Sequence, residues 1–63
     1  MQYWYCKNTT KKYEAVCWAH KQEYAEGLFL RWLEQQGIYN EEVTAEPFIS
    51  FEHGLLEYYD IIA

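Results

Sequence analysis

Residues 22–37, QEYAEGLFLRWLEQQG, constrain the chain more than any other stretch. Tyr24, Ala25, Leu28, Phe29, Trp32 and Leu33 recur as adjacent pairs four residues apart, and a helix of 3.6 residues per turn gathers them into one broad apolar stripe. Glu23, Glu26, Arg31, Glu34 and Gln35 fall on the solvated side. Gly27 costs a helix interior about 1 kcal/mol relative to alanine, so the helix must draw its stability from docking the stripe. Trp32, the bulkiest residue of the stripe, is expected to be its anchor. Gly37 followed by Ile38 predicts a left-handed stop with an apolar latch. The start is less sharply marked, because Lys21 and Gln22 are poor N-caps, although Glu23 and Glu26 suit the positive end of the helix dipole.

The helix needs a surface to dock on, and the first twenty residues supply one. Residues 2–8 (QYWYCKN) and 13–20 (YEAVCWAH) are rich in the types that strands favour, and the polar TTKK stretch between them predicts a hairpin. Side chains alternate along a strand, so Tyr13, Ala15, Cys17 and Ala19 share one face, and Glu14, Val16, Trp18 and His20 the other. Bulk on the helix fits best over small residues on the sheet. Trp4, Cys6, Ala15, Cys17 and Ala19 are therefore placed under the helix, with Tyr3, Tyr5, Val16 and Trp18 on the far face.

Beyond the helix, Tyr39–Glu42 reads as a connection. VTAEPFISF then has strand character interrupted by Pro47, whose missing N–H restricts it to an edge or a bulge. His53-Gly54 signals a turn before LLEYYDII. This predicts a second hairpin, with Ile49, Phe51, Leu56 and Tyr58 on one face and Phe48, Tyr59 and Ile61 on the other. A short terminal helix over LLEYYDIIA is the alternative. The expected fold is a single α+β domain over residues 1–63: a ββαββ unit whose four-stranded, mainly antiparallel sheet carries one helix on one face.

A core drawn from 63 residues barely offsets its own conformational entropy, at about 1.5 kcal/mol per ordered residue. Seven tyrosines, three tryptophans and three phenylalanines exceed what so small a core needs, so another molecule is expected to cover some of them. The open far face of the first hairpin, Tyr3, Tyr5, Val16 and Trp18, is the expected self-association surface, giving a homodimer. The sequence contains no signal peptide, lipidation motif or apolar run near the roughly 18 residues of a membrane span. A cytoplasmic protein without membrane contact is expected, in the host cytoplasm if a phage encodes it.

The net charge of −5 conceals an asymmetry. Lys7, Lys11, Lys12, Lys21 and Arg31 all lie in the first half, and after Arg31 come seven acids with no Lys or Arg. Direct contact with nucleic acid is disfavoured, since such binders gain affinity by replacing counterions with basic side chains. Glu42, Glu46, Glu57 and Asp60, with loop residues Glu41 and Glu52, are instead expected to form an acidic band that imitates a row of phosphates and meets a basic surface on a partner.

Catalytic and cofactor chemistry find little support. Cys17 and His20 have the spacing of half a zinc site, with Cys6 and His53 as conceivable further ligands, but residues three apart on a strand face opposite ways. A Cys6–Cys17 disulfide fits one hairpin face, yet an intracellular setting favours two reduced core thiols. Paired carboxylates such as Glu41-Glu42 read as a solvated face. The single glycines at 27, 37 and 54 form no phosphate cradle. No catalytic residue, metal site or cofactor is therefore assigned.

In size, acidity and aromatic richness the chain resembles the small inhibitor proteins that bacteriophages use against host enzymes and defence complexes, including anti-CRISPR and DNA-mimic proteins. The resemblance is one of composition and covers no motif. It implies a non-enzymatic inhibitor or adaptor that engages a basic, nucleic-acid-binding site on a target protein. The alternative is a structural or assembly protein that works as a homo-oligomer through an open aromatic sheet face.

Overall fold

The computed structural model describes residues 1–63 and has the α+β architecture expected, with a mixed sheet. Strands β1 (Gln2–Asn8) and β2 (Glu14–Ala19) form the antiparallel hairpin in a register that sets Cys6 opposite Ala15 and Trp4 opposite Cys17. Helix α1 (Gln22–Gln35) follows, then β3 (Val43–Pro47), a single helical turn α2 (Ser50–His53), a 3-10 turn at Leu56–Tyr58 and a two-residue strand β4 (Ile61–Ile62). The sheet order is β3-β1-β2-β4, with β3 antiparallel to β1 and β4 parallel to β2. No helix is long and apolar enough to cross a membrane.

The helix docks on the face assigned from residue size. Cys6, Ala15, Cys17, Ala19 and Ala45 form a floor of small side chains, and Ala25, Phe29 and Leu33, one turn apart, press into it from above. The stripe is narrower than its sequence pattern. Leu28 and Trp32 are only partly buried along its flank, and Tyr24 stays 57% exposed. Phe29, fully buried and stacked on Trp32 with 5.9 Å between ring centroids, is the anchor in place of Trp32. Lys21 sits at the N-cap position without a capping hydrogen bond. At the other end Gly37, at φ 80°, donates its N–H to the carbonyl of Glu34, and Ile38 donates to Leu33. This reciprocal pair of bonds is the expected left-handed stop, and Ile38 packs on the core as its latch.

Two polar devices fix the rest of the frame. Asn8, 3% exposed, accepts from the N–H of Tyr13 at 2.9 Å, and its amide nitrogen donates to Thr10 at 3.1 Å and to the Glu41 carboxylate at 2.9 Å. One buried side chain thus ties the β1–β2 turn to the loop before β3. At the edge strand β3, Gln22 donates to the carbonyl of Ala45 at 2.8 Å, and the N–H of Ala45 donates to Glu26 at 3.1 Å. Pro47 shares the outward parity of Ala45, so its missing N–H falls where no ladder donor is needed, as the edge assignment predicts.

The second hairpin expected from the sequence does not form. Pairing with β1 ends as Phe48 donates to the carbonyl of Tyr3, and the chain then coils through α2, reverses at Gly54 (φ 92°) and crosses the far face of the sheet. It reaches the opposite edge, where Val16 donates to the carbonyl of Asp60 and β4 runs parallel to β2. The terminal segment is therefore a 3-10 turn followed by a short strand. The two apolar sets separate only in part: Phe48 and Tyr59 turn inward and Ile49, Phe51 and Tyr58 outward, but Ile61, expected on the inward face, is 49% exposed, and Leu56, expected beside Tyr58, is partly buried, because a turn and a coil replace the strand.

Candidate protein-interaction site

The far face is closed by the chain itself. Tyr5 stacks on His53 with centroids 4.3 Å apart, and Tyr59 and Phe48 meet the same group edge-on or tilted. Tyr5 and Val16, expected on an open self-association face, are instead 6% and 0% exposed, because the returning segment lies over them. Tyr3 and Trp18 form a tilted pair at 4.6 Å beyond its reach, and Trp18 keeps 38% of its surface accessible.

His53 is the keystone of this closure. Its Nδ1 accepts the N–H of Ile49 at 3.0 Å, which places the ring proton on Nε2, where it donates to Glu46 at 3.1 Å. Tyr59 donates its hydroxyl to the carbonyl of His53. Ligand atoms of Glu46, Glu52 and His53 lie within 4.8 Å of one another, as a metal site would require. The hydrogen-bond pattern opposes that use: a metal needs the Nε2 lone pair, and moving the proton to Nδ1 would aim it at the N–H of Ile49. It also leaves neither nitrogen free to act as a general base.

Around this pair lies a recess of about 390 Å³ lined by Tyr5, Lys7, Lys11, Glu14, Glu46 and Glu52 among others. Burial, and then the Glu14 carboxylate beside it, pushes the Tyr5 hydroxyl well above its ordinary value of 10.0. Tyr59 is raised by the same two causes. The recess mixes both signs of charge, since the fold brings Lys7 and Lys11 against the acids here. Even so, no Lys or Arg comes within 4.0 Å of a carboxylate, and the only contact of that kind is the hydrogen bond from His53 to Glu46.

The six acids expected to form a band divide by role. Glu41 is spent on Asn8 and Glu46 on His53. Glu42, Glu52, Glu57 and Asp60 are exposed with free carboxylates. The last three share the C-terminal segment with apolar side chains that stand exposed: Phe51 is 96% exposed, Tyr58 70%, Leu55 50% and Ile49 46%. A sequence signal for this existed. Phe51 follows Pro47 too closely for a strand to continue undisturbed, and Gly54 follows closely enough to reverse the chain.

A second accessible surface lies on the other side of the molecule, between the end of β2 and the first half of α1. Met1, Trp18, Tyr24, Gly27 and Leu28 line an apolar groove of about 430 Å³, with Glu23 and Arg31 among its lining. It was missed because Tyr24 and Leu28 were assigned to the core.

Cys6 and Cys17 are free thiols, both fully buried, with Sγ atoms 3.3 Å apart. The bond to Cys17 and burial push the Cys6 thiol far above its ordinary range. Cys17 faces the core whereas His20 is exposed, so the two do not converge on a common ligand. No protein-family model, curated protein or solved structure matches the chain.

Proposed function

We propose that this chain is a non-enzymatic, protein-binding inhibitor or adaptor whose C-terminal segment engages a basic, nucleic-acid-binding site on a target protein. The observation that carries the reading is Phe51, a large aromatic ring 96% exposed on a segment whose charged residues, apart from His53, are all acidic. Ordered aromatic side chains are effective anchors, since they bury large area at small entropic cost. The turn that carries Phe51 is braced from beneath by the stacked Tyr5, His53, Phe48 and Tyr59. Glu52, Glu57 and Asp60 would then rim the contact, steering a basic surface toward the anchor and displacing the polyanion that surface normally holds. This is the mode of action that the phage-type inhibitors, anti-CRISPR and DNA-mimic proteins among them, suggest for a chain of this composition.

The test begins with wild-type protein immobilised against a panel of purified nucleic-acid-binding proteins. At least one is expected to bind, to be displaced by duplex DNA and to weaken as salt rises. Phe51→Ala and the triple change Glu52→Lys, Glu57→Lys, Asp60→Lys should each abolish most of that binding while circular dichroism remains native. Binding that survives both variants, or that ignores salt and DNA, would show the segment to be only a cover for the sheet.

A further inference from the structure

We infer that the apolar groove beside α1 is a homodimer interface, occupied by the same groove of a second copy related by a two-fold axis through Gly27. This face shares no residue with the C-terminal segment, so it stands independently of the target-binding reading.

Three observations converge on a second copy as the occupant. Glu23, Gly27 and Arg31 follow one another at intervals of four along the exposed helix and all line the groove. A two-fold axis at the middle residue of such a ridge reverses its direction, so Glu23 of each copy meets Arg31 of the other. The ridge is therefore complementary in charge to itself. Neither end is used internally, since Arg31 and Glu23 have no ion-pair partner within the chain.

Gly27 is the second observation. Glycine in a helix interior carries a penalty that something usually explains, and nothing within the chain does so here, because an added Cβ would meet no atom within 4 Å. At the crossing point of two antiparallel helices it has a use: without a side chain the two backbones approach closely, as small residues allow wherever helices cross tightly.

The third is the apolar surface flanking the ridge. Tyr24 and Trp18 are 57% and 38% exposed and Met1 57%. Standard interfaces bury roughly 800 Å² per partner, about a fifth of the chain's 4381 Å² of accessible surface. Trp18, Tyr24 and Met1 supply, beside the ridge, apolar and aromatic area of the kind that interfaces favour.

The experiment is sedimentation equilibrium over a concentration series, with circular dichroism to confirm folding. Wild type is expected to be dimeric at high concentration. Glu23→Arg alone and Arg31→Glu alone each place like charges across the axis at two symmetric points, and each should weaken the dimer about tenfold or more. The double variant Glu23→Arg, Arg31→Glu reverses the ridge and should restore the wild-type constant, a rescue that only reciprocal pairing produces. Gly27→Leu should be monomeric yet at least as resistant to urea as wild type diluted to its monomer, since the site is open and leucine is the better helix former. A wild type that remains monomeric at millimolar concentration overturns the inference. So does a dimer indifferent to the single reversals or not rescued by the double one, and a foreign peptide occupying the groove of a monomer would assign it to that peptide.

Discussion

Replacing Phe29 by alanine should remove at least half of the protein's stability, and the structure supplies the reason for the size of the effect. The ring is fully buried, and beneath it lie Cys6, Ala15, Cys17, Ala19 and Ala45. These side chains are too short to swing into a vacated space, and the sheet backbone that carries them cannot follow, so most of the cavity would persist. Phenylalanine-to-alanine changes cost about 3 to 5 kcal/mol, and sites that collapse poorly lie toward the upper end. A chain of 63 residues has a total stability of about 3 to 9 kcal/mol. The variant should therefore retain half of its stability at most, and in the lower part of that range none. Trp32 is the control. It stacks on Phe29 from the flank and is only partly buried, so Trp32→Ala should cost about 2 kcal/mol, short of the full cost of a buried aromatic. Urea titration followed by far-ultraviolet circular dichroism gives both numbers. If Trp32→Ala proves as damaging as Phe29→Ala, or if Phe29→Ala unfolds at the wild-type urea midpoint, Phe29 is not the anchor of the core.

Asn8→Ala should cost about 1 to 3 kcal/mol, because it leaves the N–H of Tyr13 without its partner and frees the loop at Glu41; a urea midpoint unchanged from wild type would refute the pinning role. Stability should decline in alkali. The Tyr5 hydroxyl is raised from its ordinary value of 10.0, so the folded state holds this proton more tightly than the unfolded one. Its contribution is complete below about pH 10 and is lost progressively above it. Tyr5→Phe keeps the ring stack and should flatten the decline above pH 10 in urea titrations; an identical pH profile would remove Tyr5 from the account. Cys6 and Cys17 should resist alkylation in the native protein and react together on unfolding, as mass spectrometry after timed iodoacetamide exposure can read.

The parts of the fold that were legible before the structure are those governed by one strong local rule. Alternation along residues 2–8 and 13–20, together with the size contrast between Ala15, Cys17, Ala19 and the helix stripe, sufficed to choose the docked face. Gly37 and Pro47 each behaved as their backbone chemistry requires. The C-terminal quarter was not legible in this way, because its path depends on contacts distant in sequence. His53 is a turn residue by local rules, yet it is held by Glu46, by the N–H of Ile49 and by the ring of Tyr5. The period-two pattern of FISF divided inward Phe48 from outward Ile49 and Phe51, but across LLEYY it failed, since exposed Leu55 shares the parity of inward Tyr59 and partly buried Leu56 that of exposed Tyr58, in a segment that forms a 3-10 turn and not a strand. Asn8 was invisible for a related reason: its value comes from Glu41, thirty-three positions away. Of the candidate acids, a sequence shows only charge, and whether a carboxylate is free or spent internally is a matter of neighbours. That distinction separated Glu41 and Glu46 from Glu52, Glu57 and Asp60.

The bonds from Gln22 and Glu26 to Ala45 tie aggregation resistance to the helix. The outer rim of β3 would otherwise present a bare N–H and C=O to any passing strand, and two helix side chains one turn apart occupy both. The guard belongs to α1 and not to the sheet, so it leaves whenever α1 lifts away, even while the three longer strands remain paired. A transient opening too brief to register as loss of fold would thus uncover a template for cross-strand growth. The shelf life of the protein should accordingly follow how often the helix detaches, and substitutions that only tighten the strands would do little to prolong it.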